Sequence, residues 1–468
     1  MSLISFRLAL AAAGAGGSNE YLLIDEYTSG SYAYNDYYNA VLRTDEGSIT
    51  TVRKIRASNL STAVWTEKFN PDLTFVAGSS NVSGNFNKNY TTYPILSSSN
   101  TYDWDGLFSQ TNDNKYYRAD DTTYGSANGL VRNFAINNLY SGTSWTSSKT
   151  KNHYIIGNRA FISRVSTNYG SSFGSYPHLA TSGSNMLADL GAGWYDTYNN
   201  GGFADVLPVN PASSSTDHIV VHSSGYHTQM YKLDSSFNAT GSGWRSTSGS
   251  DMNYFSNVAI DRSNNTIYAY TTDGSYLYVW NYSTNVRARH TITLPSGSPS
   301  YSGWMFYMNG YVYQYIYSQS GLYLLRYQTS NITGTEESYL LTVTSGTANQ
   351  VGRQNGFMIE GANSALGDTD LFYLGFNNAT SAGGGYRRNT LAHIKWDNIP
   401  TLATYNNNLT VTSSTVSIGS GSSIGSDTTN GSPNNGSLSN GSTSNPYNQN
   451  PFGSSSRQQY GSSSVTKL

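Results

Sequence analysis

One unit of a weak internal repeat reads Val258-Ala259-Ile260-Asp261-Arg262-Ser263-Asn264-Asn265-Thr266-Ile267-Tyr268-Ala269-Tyr270, then a turn, then Tyr276-Leu277-Tyr278-Val279-Trp280. The next unit reads Trp304-Met305-Phe306-Tyr307-Met308-Asn309-Gly310-Tyr311-Val312-Tyr313-Gln314-Tyr315, then a turn, then Leu322-Tyr323-Leu324-Leu325-Arg326-Tyr327. Tyr268 and Tyr313 hold matching places (313 − 268 = 45). A strand, a polar turn, a second strand, another turn and a third strand at this spacing predict one blade of a β-propeller.

Strand signals of this kind recur along most of the chain. A first blade is predicted from the apolar run Tyr21-Leu22-Leu23-Ile24 and from strands near 38–43, 49–56 and 63–69. Further signals come from a degenerate, loop-rich blade at 79–124, from strands at 131–136 and 153–165, and from clearer blades at 217–249, 252–296, 301–343 and 355–405. The sequence therefore predicts an all-β propeller of about seven blades over residues 20–411.

Both ends of the chain differ in composition from this region. Residues 1–19 are interpreted as a docking segment or linker, in which Leu3 to Gly17 contacts other proteins and the glycines form a flexible exit. The alternative is a signal peptide cleaved near Ala13 or Ala15. Residues 412–468 are rich in Ser, Gly and Asn, which predicts a low-complexity tail that is flexible in isolation. In an assembly this tail is expected to order against a neighbouring protein.

Composition excludes several classes of function. Charged residues make up 12% of the 468 residues and the formal net charge is −2, which argues against nucleic-acid binding. Cysteine is absent, so disulfides, zinc–thiolate sites and thiol nucleophiles are absent as well. No stretch approaches the roughly 20 consecutive apolar residues of a membrane helix, and no membrane span is predicted.

No catalytic or cofactor motif stands out from this background. His218, His222 and His227 form the one histidine cluster, and polar positions on a half-buried strand explain it better than a metal site. Neither Gly-x-Ser-x-Gly string, at 170–174 and 421–425, has the strand and helix that a nucleophile elbow requires. No phosphate-binding or dinucleotide motif occurs, so no cofactor and no metal are expected.

Two groups of polar and aromatic residues remain as candidates for binding or catalysis. Loop aromatics can stack on sugar rings, and the candidate glycan contacts are Tyr102, Trp104, Tyr116, Tyr117, Trp194 and Tyr195, which are expected in or beside loops. Asp103, Asp105, Asp120 and Asp121 could supply the paired acids of a glycosidase, although acidic turns are common in β proteins.

The chain also resembles a known group of proteins. Its start, Leu8-Ala9-Leu10-Ala11-Ala12-Ala13-Gly14-Ala15-Gly16-Gly17, resembles the opening of virion structural proteins of tailed bacteriophages, marine ones in particular. The segment from Asn257 to Tyr270 is similar to a propeller repeat that often follows such openings, and Met230 to Asn238 is similar to the accompanying outer strand and turn. The resemblance implies a component exposed on the virion surface, and it assigns no catalytic residue to this chain.

These observations lead to one expectation of function and two alternatives. We expect a non-enzymatic virion structural protein: a fibre, tail or head-surface component that forms homo-oligomers and contacts host surface glycans through loop aromatics. Its expected partners are other virion proteins, reached through Leu3 to Gly17 and through the C-terminal tail. The alternatives are a glycan-degrading depolymerase on the same fold and a secreted bacterial adhesin.

Overall fold

β-Strands dominate the computed structural model of the chain. It describes residues 19–27, 37–43, 49–55, 63–83, 86–87, 95–96, 102–103, 105–110, 115–120, 130–135, 149–156, 159–165, 173–179, 193–196, 202–210, 216–223, 228–235, 239–245, 255–271, 276–295, 299–318, 320–343, 356–361, 369–379, 387–424, 434–436, 448–449 and 462–468. Side chains are described for part of these residues, chiefly within 19–26, 67–76 and 258–424.

The first strand of the chain, β1, spans Tyr21–Tyr27, and three antiparallel sheets follow it. Blade 1 contains β2 (Tyr37–Arg43), β3 (Ile49–Ile55), β4 (Ala63–Phe69) and β5 (Phe75–Ser83). Blade 2 contains β6 (Phe86–Asn87), β9 (Asp105–Gln110), β10 (Lys115–Asp120) and β11 (Leu130–Ala135), and the hairpin of β7 (Ile95–Leu96) and β8 (Tyr102–Asp103) interrupts it. Blade 3 contains β12 (Lys149–Ile156), β13 (Arg159–Val165), β14 (Phe173–Leu179) and β15 (Gly193–Asp196).

Three further sheets have the same up-and-down order. Blade 4 contains β16 (Gly202–Pro208), β17 (His218–Ser223), β18 (Thr228–Leu233) and β19 (Ala239–Arg245). Blade 5 contains β20 (Phe255–Asp261), β21 (Thr266–Thr271), β22 (Tyr276–Asn281) and β23 (Arg287–Thr293). Blade 6 contains β24 (Pro299–Met308), β25 (Tyr311–Ser318), β26 (Gly321–Gln328) and β27 (Glu337–Val343).

Blade 7 closes the ring with strands from both ends of the chain. Its first three strands are β28 (Phe357–Glu360), β29 (Phe372–Ala379) and β30 (Arg387–Ile394), and its fourth strand is β1, which pairs antiparallel with β30. The interpretation of Tyr21-Leu22-Leu23-Ile24 as a strand of the first blade is therefore wrong. A ring cannot close by local pairing alone, and the N-terminal strand completes the blade that the C-terminal strands leave one strand short.

The first strands of successive blades lie side by side. β12 contacts β16, β16 contacts β20, β20 contacts β24, and β24 contacts β28. β2 of blade 1 contacts β28 and β29 of blade 7, which brings the two ends of the series together. Seven sheets in this arrangement confirm the predicted all-β propeller of about seven blades.

Where side chains are described, chiefly in blades 5 to 7, apolar residues fill the spaces between neighbouring blades. β21 is buried at all six positions, which is why its sequence reads as a nearly continuous apolar run. In β25, Tyr313 and Tyr315 pack in the core between blades 6 and 7, while Val312 and Ile316 pack in the core between blades 5 and 6. The alternate residues of one strand therefore belong to two different cores.

The turns of blade 5 are fixed by short polar side chains. The buried Asp261 carboxylate accepts hydrogen bonds from the Ser263 amide at 3.0 Å and from the Asn264 side chain at 2.8 Å. Asn281 has the same role in the following hairpin, where its side chain accepts from the amides of Ser283 and Thr284. The polar residues between the apolar runs of the repeat therefore form the turns.

The C-terminal segment from Leu409 to Leu468, which we call the belt, pairs with the outer edges of five blades. After a 3₁₀-helix (Trp396–Thr401) and a short α-helix (Leu402–Tyr405), β31 (Leu409–Ser414) adds a fifth strand to blade 6. The later belt strands are β32 (Ser417–Ile418) and β33 (Ser422–Ser423) on blade 5, β34 (Asn434–Gly436) on blade 3, β35 (Asn448–Gln449) on blade 2 and β36 (Ser462–Lys467) on blade 7.

The sequence predicts a flexible tail over residues 412–468, whereas the described belt strands pair with blades of the same chain. The predicted boundary at 411 lies within β31, and Val416 and Ile418 are buried among residues of blades 5 and 6. Backbone pairing with blade edges, rather than side-chain hydrophobicity along the tail, supplies most of this order. Within the described residues, no helix has the length and apolarity that crossing a membrane requires.

Candidate functional site

Most of the predicted glycan-contact residues lie on strands of blades 2 and 3. Tyr116 and Tyr117 belong to β10, Trp194 and Tyr195 belong to β15, and Tyr102 belongs to the two-residue strand β8. Tyr116 and Tyr117 lie near the start of β10, which pairs with β9 and β11, so their predicted positions in or beside loops stay a prediction. Trp104 and the side chains of the other five lie outside the part of the chain that the structure describes.

Strand register brings two of the four candidate acids together. Asp105 of β9 and Asp120 of β10 are directly opposite one another in the antiparallel pair. Asp103 pairs instead with Ile95 in the small β7–β8 hairpin, and Asp121 lies outside the described residues. Directly opposite positions are the closest cross-strand neighbours in a sheet, so sequence reasoning identified one acid pair that the fold places side by side.

The histidine cluster is divided between described and undescribed positions. His218 is fully buried on β17 and pairs in register with Pro208, while His222 lies on the same strand and His227 is outside the described residues. Among the described residues, no three His, Asp or Glu side chains lie close enough to hold a metal ion.

A group of aromatic and charged side chains, which we call the Arg326 cluster, lies where blades 6 and 7 meet the 3₁₀-helix. The Arg326 guanidinium carbon is 4.9 Å from the ring centroid of Tyr311 and 5.1 Å from that of Trp396. Its Nη2 atom is 2.8 Å from Oε2 of Glu337 and 3.3 Å from Oδ1 of Asp397. The cation is therefore held by two aromatic rings and two carboxylates.

The Arg326 cluster has a buried side and an open side. Trp396 is 2% exposed, and its ring centroid lies 5.7 Å from that of Tyr313 and 5.3 Å from that of Tyr339. On the open side, the Asp397 side chain is 83% exposed and the Glu337 side chain is 47% exposed. Burial, and then the negative charges of these two acids, raises the pKa of Tyr339. The phenol is thus kept neutral as a hydrogen-bond donor beside two acceptors.

Sequence reasoning missed this cluster because its members are far apart along the chain. Tyr311 and Arg326 occur in the repeat as strand residues, and nothing in the sequence places the 3₁₀-helix against blade 6. The dipeptide Trp396-Asp397, directly after the last apolar run of blade 7, is the one signal that could have pointed to it.

Three carboxylates with described partners, of which Glu20 and Asp261 are buried, hold the backbone in place. Glu20 accepts from the Lys395 amide at 2.8 Å and from the Asn398 side chain at 2.7 Å, which ties β1 to the 3₁₀-helix. Glu336 accepts from the Gly334 amide at 2.6 Å and from the Ile418 amide at 2.7 Å, which ties blade 6 to the belt. With Asp261 in its turn, these groups have the partners of structural caps rather than those of a catalytic acid or base.

The comparisons with known proteins find similarity in fold alone. No family model and no curated protein matches the sequence. Kluyveromyces lactis Hsv2 is 8% identical with a TM-score of 0.40, over 74% of this chain and 93% of that chain. The Dos1 propeller is 9% identical with a TM-score of 0.42 over 79% and 95%, and the β-propeller domain of Myceliophteria thermophila Cps50 (Swd1) is 8% identical with a TM-score of 0.31 over 62% and 95%. Similarity at this level carries no argument about function.

Proposed function

We propose that this chain is a non-enzymatic structural protein of a tailed-bacteriophage particle, exposed at the virion surface as a fibre, tail or head-surface component. The observation that carries the non-enzymatic part is the use of Glu20, Asp261 and Glu336 as backbone acceptors. The virion part is supported by the sequence resemblance of residues 8–17 and 257–270. The segment from Leu3 to Gly17 is the proposed contact with other virion proteins.

Ring closure fits a particle component that contains no disulfide. The chain has no cysteine, yet β1 is paired on both edges, with β30 and with β36. The Leu468 amide also donates to the Glu20 carbonyl at 2.9 Å, so both ends of the chain meet at blade 7. Removing β1 from blade 7 requires breaking two ladders at once, which supports durability outside a cell.

The test of the virion proposal is immunogold electron microscopy of particles from the producing culture, with antibody to this chain. Label at a tail, fibre or head surface supports the proposal and shows the position on the particle. Label on cells with none on particles would contradict it and would favour a secreted adhesin.

We further propose that host glycans are contacted through aromatic residues, with the Arg326 cluster as the first candidate surface. Tyr311 and Tyr339 are partly exposed beside the carboxylates of Glu337 and Asp397. A tyrosine face next to hydrogen-bond acceptors suits a polyhydroxylated, uncharged ring. The residues on β8, β10 and β15 remain a second candidate group on blades 2 and 3.

Glycan-array binding of purified protein tests this contact. Tyr339→Ala is expected to abolish binding to any glycan that the wild type retains. Tyr405→Ala removes a tyrosine that is 44% exposed and is not a member of the cluster, so it should leave binding unchanged. Equal loss of glycan binding in both variants, or unchanged binding in Tyr339→Ala, would exclude the Arg326 cluster as the glycan-binding surface.

The depolymerase alternative is favoured by one observation, the opposed positions of Asp105 and Asp120. Two acids on adjacent strands match the pair that a glycosidase requires. Release of reducing sugar from host polysaccharide by the wild type, and its loss in Asp105→Asn and in Asp120→Asn, would establish this activity. No release by the wild type would exclude it on that polysaccharide.

A further inference from the structure

The outer edges of the seven blades fall into two kinds. In blades 2, 3, 5, 6 and 7, the fourth strand from the centre pairs in unbroken register with the third. In blades 1 and 4, the register shifts between the last two strands, at Val64/Thr66 and Lys68/Phe69 in blade 1 and at Tyr231/Leu233 in blade 4.

The belt pairs with the regular edges. Belt strands lie on β27, β23, β15, β11 and β1, which are the five edges with unbroken register. Within the strands that the structure describes, β5 and β19 have no further strand beyond them. A bulge twists an edge and breaks its ladder, so bulged edges are poor templates for another strand, whereas regular edges are good ones.

The edge of blade 6 would be the strongest template if the belt left it. Ser338 to Val343 contains Leu340, Leu341 and Val343 and no charged residue. Strand segments that are apolar, uncharged and regular pair readily with another copy of themselves. The outer hydrogen-bonding edge of this strand is filled by β31, in register from Ser338 with Ser414 to Val343 with Leu409.

Few side chains hold the belt at this place. Val416 and Ile418 are 5% and 4% exposed and pack in the core between blades 5 and 6, while Thr415 and Ser417 between and beside them are exposed. The Val416 amide donates to Ser338 Oγ at 3.3 Å, and the Ile418 amide donates to Glu336. Leu409 is also buried, in the core between blades 6 and 7. The rest of the segment is joined mainly through its backbone, which also contacts the side chains of His290 and Arg287.

We infer that the belt is a cap over the regular sheet edges, and that the edges of blades 5 and 6 beneath it are a pairing surface for a second copy of this chain. The regular, uncharged edge of β27 from Ser338 to Val343, which β31 fills over six residue pairs, is the observation that carries the inference. It depends on the fold and stands apart from the proposed virion role. Two exposed copies of β27 would pair edge to edge about a twofold axis, as isologous contacts do.

The test is to release the cap in the full chain and measure mass by light scattering after size exclusion. Val416→Asp with Ile418→Asp places two charges in the core between blades and should release residues 409–424. The matched control is Thr415→Asp with Ser417→Asp, which adds the same charge at exposed positions of the same segment. We expect at least a doubling of mass in the first variant and wild-type mass in the control.

A synthetic peptide of residues 409–424 distinguishes edge pairing from misfolding. Added in excess, it should bind the released variant and return it to wild-type mass, because it covers the same edge; misfolded aggregates would not dissolve. If the core charges prevent folding, Glu336→Ala with Ser338→Ala removes the two side chains that accept from the Val416 and Ile418 amides and should give the same results. A folded variant that keeps wild-type mass and takes up no peptide contradicts the inference.

Discussion

At the scale of single residues, Trp396 joins elements that are distant in sequence. It contacts Tyr313 of blade 6 and Phe372 of blade 7 and stacks against Arg326. Replacement by Ala should lower the free energy of unfolding by about 3–5 kcal/mol, the usual cost of removing a buried tryptophan. Tyr405→Ala is the control, since loss of its exposed ring should change stability by less than about 0.5 kcal/mol. Urea denaturation measures both, and equal values would contradict the packing described.

Two buried tyrosines of blade 6 should respond in opposite ways to loss of the hydroxyl. The Tyr327 hydroxyl is buried without a hydrogen-bond partner among the described residues. Burial also raises the pKa of Tyr313, but the neighbouring Arg326 guanidinium partly offsets that rise. Tyr327→Phe should therefore stabilise the protein by about 1 kcal/mol and Tyr313→Phe should destabilise it by about 1 kcal/mol. Thermal melts of both variants under one condition provide the test, and a shared sign would refute this assignment.

The buried tyrosines also predict how stability depends on pH. Burial raises the pKa values of Tyr268, Tyr315 and Tyr327 well above the ordinary value of 10.0. Above that value the unfolded chain gives up these protons while the folded chain keeps them, so stability should fall as pH rises beyond 10.0. The part of the tyrosinate absorbance that belongs to these buried tyrosines should then appear only on unfolding. Full ionisation of all tyrosines in the folded state would contradict the burial.

At the scale of elements, the sequence predicts blades 5 and 6 well and blade 7 less well. The strands of blades 5 and 6 are long apolar runs separated by Asx-type turns, and both signals are local. No local signal places β1 in blade 7, because its partner β30 lies more than 350 residues away, as Ile24 opposite Thr390 shows. The belt strands could not be predicted because they are short, polar and defined by the edges they cover.

Glu20 offers a test of the junction of β1, the 3₁₀-helix and the C-terminal residue. Glu20→Ala removes a buried carboxylate and leaves the Lys395 amide and the Asn398 side chain without their acceptor. We expect a loss of about 2–4 kcal/mol in unfolding free energy, and a smaller loss of about 1 kcal/mol for Glu20→Gln, which keeps one acceptor oxygen. Equal losses in the two variants would mean that the hydrogen bonds are unimportant.

At the scale of the whole molecule, the repeat predicts the ring, whereas the candidate site is predictable only in part. Composition points to aromatic binding residues, and Tyr339 and Trp396 belong to such a cluster. Their contact with Arg326 depends on the path of the chain from β30 of blade 7 into the 3₁₀-helix, and no local sequence pattern predicts that path. The pairing of Asp105 with Asp120 is within reach of sequence reasoning, because the two strands are four residues apart in the sequence, which limits their register.

In the described part of the chain, β1 and β36 complete blade 7, and the belt strands pair with the outer edges of five blades. Amide hydrogen exchange followed by mass spectrometry tests this arrangement most directly, because peptides covering 409–424 and 462–468 report on backbone bonds that the sequence does not suggest. We predict that these peptides exchange as slowly as those covering β21 and β25. Exchange at the rate of an unstructured chain in both peptides would contradict the claim.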